Sequence, residues 1–252
     1  MSFAPVINFL SLPLGTMVNQ RVPKKMLAEQ GACAVGDRKK ILDGIEEISW
    51  LAALKSNNIG VPVFRDDVRE YLEIAVIAAS FRAEAKSARL TEIIHRSIPY
   101  PVVLVAVHSG KPSLSLAHKR WSQGESGKVV IEKIYCSAPL KAGALTEQES
   151  SFLASLSLSS MPRGNMFSLY QGWIDRIAAL EASGITGIFS VPMSMDLGSA
   201  LRDGLENYSK LWRDIATLRV QAEKEKQIKR RVELNLEIKR LEAEVTAAAK
   251  ML

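Results

Sequence analysis

The chain has 252 residues, 47% hydrophobic and 24% charged, a composition that supports a sizeable core and excludes a disordered protein. A formal net charge of +6 with a pI near 9.3 favours polyanionic partners, nucleic acid or an anionic membrane surface, without choosing between them. No run reaches the roughly 18 to 20 apolar residues needed to cross a bilayer. The opening MSFAPVINFLSLPLG has neither a basic region nor an uninterrupted apolar stretch, so no signal peptide is expected and a cytoplasmic bacterial protein is the default.

Taken in chain order, Asn19 to Lys25 (NQRVPKK) reads as a basic turn, and Met26 to Ala34 as a short helix ended by Gly31. In DRKKILDGIEEISWLAAL the apolar Ile41, Ile45, Ile48, Leu51 and Leu54 recur at three and four, which predicts an amphipathic helix with Asp37 as N-cap, turning to strand near Trp50. Asn57, Asn58, Gly60 and Pro62 break the chain. Glu70 to Phe81 becomes continuously apolar and β-branched, as in a strand covered on both faces. Helical spacing returns over Glu84 to Arg96 and stops before Pro99. Val102 to Val107, the turn Ser109 to Pro112 and the alternating Leu114 and Leu116 predict a hairpin, and Val129 to Tyr135 a further strand after the polar SQGESGK loop.

Thr146 and Glu149 have the spacing of a capping box, and Phe167 to Leu180 turns Leu169, Trp173, Ile177 and Leu180 inward. Gly184 to Pro192 reads as a linker or a last short strand. From Leu197 no Pro occurs and after Gly204 no Gly, so one long helix is expected, ending in a heptad seam of Leu234, Ile238, Leu241, Val245 and Leu252. Lys224, Lys226, Lys229, Arg230 and Arg231 precede the seam and read either as a solvated face or as a phosphate-tracking stripe. The fold class is therefore α/β, a mixed sheet with flanking helices over residues 1–195, followed by a coiled-coil helix over 197–252.

Candidate chemistry is sparse. Asp66 and Asp67 followed by Glu84 and Lys86 reproduce the residue order of a PD-(D/E)xK nuclease, in which carboxylates and a lysine gather around a metal. In such an enzyme the E-x-K lies on a strand, whereas the composition around Glu84 favours the first turn of a helix. No GxxxxGK[ST] or GxGxxG occurs. His95, His108 and His118 are dispersed, the serines lack a GxSxG elbow, and Cys33 and Cys136 form no CxxC pair and read as reduced core thiols. No cofactor or metal is expected. What remains is the cationic end of the hairpin: His118 and Arg120 fall on the side of Leu114 and Leu116, Lys119 and Trp121 on the other. Arginine can fork onto a phosphate and tryptophan can stack on a base.

WLAALKSNNIGV, EYLEIAVI, HRSIPYP and SLAHKRW, followed by VVIEKIY, resemble over roughly residues 8 to 140 a bacterial family catalogued as a domain of unknown function. The matching positions are Pro23 and Lys24, Trp50, Lys55, Ile98 to Pro101, and His118 to Arg120. Members are commonly encoded beside a superfamily-2 or SNF2-type helicase and a DNA methyltransferase, in loci that look like restriction or anti-phage defence islands. The resemblance implies a DNA-directed complex and no chemical role. The expectation is a non-catalytic antiviral-defence subunit that binds DNA or its helicase through Lys24, Lys25, His118 to Trp121 and the basic stripe, with the heptad seam covered by a second copy or a partner helix. The alternatives are a divergent metal-dependent nuclease using Asp66 or Asp67 with Glu84 and Lys86, and an oligomerising scaffold.

Overall fold

The computed structural model describes residues 4–30, 35–124, 129–141 and 143–252. They form two compact units, residues 1–177 and 178–252. The first contains α1 (Ala4–Leu10), β1 (Met17–Arg21), α2 (Lys24–Gln30), α3 (Val35–Gly44), β2 (Ile45–Lys55), the single turn α4 (Ser56–Ile59), β3 (Phe64–Arg65), β4 (Glu70–Tyr71), β5 (Glu73–Phe81), α5 (Ser87–Ser97), β6 (Val102–His108), β7 (Lys111–Trp121), β8 (Val129–Cys136) and α6 (Glu147–Ser155). The helix α7 (Met166–Thr186) runs from the first unit into the second.

Six strands form one sheet in the order β1-β2-β5-β6-β7-β8. Only β5 and β6 are parallel, and α5 is the connection that a parallel pair requires. The side chains of Leu90, Ile93 and Ile94 on α5, with Leu27 of α2 and Ile41 of α3, bury the face that carries Ile77, Ala79, Leu104 and Ala106. On the opposite face Tyr170 of α7 reaches the backbone between β6 and β7: its hydroxyl accepts from Ala117 N at 2.8 Å and donates to Val102 O at 2.7 Å. β5 and β6 are thus covered on both sides, as their unbroken apolar runs require. Ser109 and Gly110, both at positive φ, close the two-residue turn between β6 and β7. The Thr146 capping box forms as expected, Thr146 Oγ1 accepting from Glu149 N at 3.1 Å and Glu149 Oε2 from Thr146 N at 2.8 Å.

Several expectations are corrected. The helix beginning near Asp37 stops at Gly44, and Ile45 to Leu54 belong to the strand β2. Register shifts at Ile45/Glu47 and at Trp50/Ala52 give β2 two bulges, and each extra residue turns the strand period of two into a local step of three. Asp37 does not cap α3; its carboxylate lies within the helix and is held by Lys40 at 2.9 Å and by the guanidinium of Arg89 on α5. The basic stretch after Asn19 includes the strand β1, and α2 ends at Gln30, with residues 31–34, including Gly31 and Cys33, outside the described residues, as are residues 125–128 of the SQGESGK loop. Glu84 lies in a turn and α5 begins only at Ser87. Cys136 is exposed on the edge strand β8, not in the core.

The C-terminal unit is a helical hairpin, not one helix. α8 (Met195–Lys224) and α9 (Ile228–Ala249) are separated by Glu225, Lys226 and Gln227, although no Gly or Pro marks the break. Packing decides it. Tyr208, Leu211, Ile215, Leu218 and Ala222 form a second seam on α8, also stepping by three and four, and it closes over Leu234, Ile238, Leu241 and Val245. Burying a side chain of this size is worth about 1.5 to 3 kcal/mol, far more than three residues of helix contribute. Leu252 leaves the seam and packs instead with Ala178, Ala182 and Leu205.

Candidate nucleic-acid interface

The cationic end of β7 is largely inside the protein. Leu114, Leu116 and His118 do share a face, but α7 covers it: His118 is 7% exposed, with Nε2 2.7 Å from Gln171 Oε1 and Nδ1 against the Tyr71 hydroxyl. Gln171 Nε2 in turn donates to Asp175 Oδ1 at 2.8 Å, and Tyr71, Phe167 and Tyr170 pack around the imidazole. Lys119 points to the other face, which α5 and the Ile98–Pro101 segment cover; it is 5% exposed and its amine donates to the carbonyls of Ile98 and Tyr100. Burial brings its pKa from 10.5 down to about 7. Neither residue can meet a phosphate backbone, so both leave the proposed interface.

Between His118 and Lys119 the pairing with β8 shifts register, Glu132 of β8 being the extra residue. Arg120 is half-buried and makes no ion pair among the described residues, while Trp121 is exposed and its backbone N–H donates to Val68 O at 2.8 Å. Lys24 is likewise structural: its ammonium donates to Ile45 O at 2.9 Å and Leu42 O at 3.3 Å, terminating α3. Lys25 is exposed. Three of the stretches that carried the family resemblance meet: Lys119 holds the Ile98–Tyr100 backbone, and Tyr100 packs on Trp50 at 6.4 Å between ring centroids. Lys55 pairs with Glu73 across β2 and β5 at 3.2 Å.

The carboxylates of the nuclease alternative are not brought together. Asp66 Oδ1 accepts from Val68 N and Arg69 N at 2.8 and 2.6 Å, capping its own β3–β4 turn. Glu84 and Lys86 are exposed in the turn before α5, off the strand. Among the described residues no group of three or more His, Cys, Asp or Glu side chains could hold a metal ion.

The basic stripe behaves differently. Lys224 ends α8, Lys226 lies in the connection, and Lys229, Arg230 and Arg231 form the first turn of α9, so the break that sequence reasoning missed gathers all five at the tip of the hairpin. All five are exposed. Arg230 pairs with Glu233 at 2.9 Å; the other four make no ion pair among the described residues. The first turn of α9 holds no acidic residue, and its N-cap Gln227 makes no side-chain capping bond. Cations there face the positive end of the helix dipole, at a cost of about 0.3 to 1 kcal/mol each. Ile228 stands at the same tip, 72% exposed. Such a tip is disfavoured on its own.

Among the described residues no helix is long and apolar enough to cross a membrane. No curated protein and no solved structure matches this chain. A family model does, over residues 10–245, well beyond the first 140 residues that carried the resemblance and through both helices of the hairpin. The chain belongs to the family described as Domain of unknown function (DUF4391).

Proposed function

We propose that this chain is a non-catalytic, DNA-binding subunit of a bacterial anti-phage defence complex, and that the tip of the α8–α9 hairpin is its nucleic-acid interface. The observation that carries this reading is the cluster of Lys224, Lys226, Lys229, Arg230 and Arg231 at one end of the hairpin, all exposed and four of them without an ion pair among the described residues. The overall charge of +6 supports it. Binding is to the phosphate backbone and is indifferent to sequence, because phosphate contacts position a protein without reading bases. The resemblance to a family encoded beside helicases and methyltransferases supports a superfamily-2 or SNF2-type helicase as the working partner, a DNA methyltransferase as a further one, and the cytoplasm as the location. The seam no longer calls for a second copy, since α8 covers it within the chain.

The test is fluorescence anisotropy with a labelled duplex and a labelled single strand. Reversal of Lys224, Lys226 and Lys229 to Glu should abolish binding, while the charge-matched reversal of the exposed Arg38, Lys39 and Lys141 to Glu should leave it near the parent value. Equal loss in both variants would reduce the tip to a contributor to net charge.

A further inference from the structure

A separate cleft lies elsewhere in the molecule. α5 covers β5 and the middle of β6 but leaves bare the turn end of the sheet, where a cleft of about 760 Å³ opens beside the carboxyl ends of the parallel strands. That volume lies within the range of about 300 to 1,000 Å³ typical of small-molecule pockets, and the carboxyl ends of parallel strands are where open α/β sheets receive ligands. The cleft exists because small side chains stand where large ones would close the core: Ala88 on α5, Ala106 on β6 and Ser113 on β7. Phe81 and Ile134 supply apolar surface, and Thr91 and Ser113 supply hydroxyls.

Its rim is basic. His108 and Lys111 flank the Ser109–Gly110 turn and stand directly opposite each other in the β6–β7 register. Basic residues in that relation repel when both are charged, at a few tenths to about 1 kcal/mol. His108 Nε2 is engaged at 3.0 Å by Ala83 O; Lys111 makes no ion pair among the described residues. Ser87 and Ala88, which begin α5, line the same rim, and that helix start has neither a side-chain cap nor an acidic residue in its first turn. The one carboxylate in the lining, Glu92, is already held by Arg89 at 2.7 Å and Arg96 at 3.5 Å.

We propose that this cleft binds a mononucleotide-class ligand, a flat ring with hydrogen-bonding edges lying on Ala106, Ser113 and Ile134 and a phosphate held at the rim by Lys111 and His108. The size of the cleft, the hydroxyls inside it and a Lys111 ammonium without an ion pair among the described residues together suit one molecule with an apolar face and an anionic end.

The experiment uses the full chain with Cys33→Ser, which leaves Cys136, an exposed residue of the cleft lining, as its one thiol. The rate of Cys136 alkylation by a maleimide is measured with adenosine, cytidine, guanosine and uridine monophosphate and with inorganic phosphate, and calorimetry follows the same titrations. At least one nucleotide should slow alkylation in a saturable way and more effectively than phosphate. Lys111→Glu should weaken that protection about tenfold or more, the loss expected when one charge-assisted contact is replaced by repulsion. Ser113→Trp, which fills the floor, should abolish both protection and calorimetric heat while circular dichroism stays that of the parent. If Ser113→Trp does not fold, Lys111→Glu decides alone. Unchanged alkylation with all four nucleotides, protection by phosphate equal to that by nucleotide, or undiminished affinity in Lys111→Glu would overturn the proposal.

Discussion

Replacing Lys119 by Glu separates a structural lysine from a DNA-binding one. In the parent the amine sits 5% exposed and satisfies two backbone carbonyls, those of Ile98 and Tyr100. Glu removes both donors, leaves two acceptors facing a third, and buries a carboxylate without a partner. Breaking such an arrangement costs roughly 3 to 5 kcal/mol, a large part of the stability of an ordinary domain. Lys119→Met keeps the apolar stem and relieves the burial of charge while losing the donors, so it should remain within about 2 kcal/mol of the parent. The pH dependence adds a second readout. With the folded pKa near 7 and the unfolded value near 10.5, the unfolded chain binds more protons between those limits. Stability should therefore rise with pH from about 7 towards 9, at up to about 1.4 kcal/mol per unit, and Lys119→Met should flatten that rise. Urea titrations at several pH values measure both. A Lys119→Glu protein as stable as the parent but deficient in DNA binding would refute the buried assignment and return the residue to the interface.

His95 is fully buried, with Nε2 3.0 Å from Ser115 Oγ and Nδ1 without a partner among the described residues; burial first, and the nearby Lys119 second, bring its pKa down to about 3. The unfolded chain takes up this proton as pH falls below about 6.5, so the parent should lose stability relative to His95→Gln between pH 6.5 and about 4, at up to about 1.4 kcal/mol per unit in chemical denaturation. Leu241→Asp puts a charge into the α8–α9 seam and should destabilise the hairpin by several kcal/mol, seen as lost helical ellipticity, while light scattering gives the parent mass; a fall in mass at unchanged helicity would show the seam to be an intermolecular contact. In Gly172→Ala the new Cβ would lie 2.6 Å from Pro162 Cδ and 3.1 Å from Met161 Sδ. The proline ring cannot swing away, so overpacking of about 1 to 3 kcal/mol should outweigh the helix-propensity gain of Ala, and a raised melting temperature would contradict it.

Local chemistry made most of the sheet legible. The turn at Ser109–Gly110, the apolar runs of β5 and β6 and the Thr146 capping box each have a short-range cause and appear where that cause acts. β2 was misread because its two bulges reproduce helical spacing, and a bulge is set by its partner strands, which no local window contains. The hairpin break at Glu225–Gln227 has the same origin: without Gly or Pro, only the match between seams on α8 and α9 defines it. Charge was readable, its exposure was not. Lys119 and Lys229 look alike in the sequence, yet tertiary packing buries the first among carbonyls and leaves the second at a helix tip. The Tyr71–His118–Gln171–Asp175 chain is assembled from three distant segments and had no spacing to betray it.

The most direct measurement of the interface is the salt dependence of duplex DNA binding for the parent and for a chain whose tip cations Lys224, Lys226, Lys229, Arg230 and Arg231 are changed to Gln. Each phosphate neutralised contributes about 0.9 to the slope of log affinity against log salt. If the tip makes three or four such contacts, the parent should lose affinity steeply between about 50 and 200 mM salt, and the neutral tip should bind weakly with a slope shallower by about 3. An unchanged slope and affinity in the neutral-tip chain would contradict the assignment of the hairpin tip as the DNA interface.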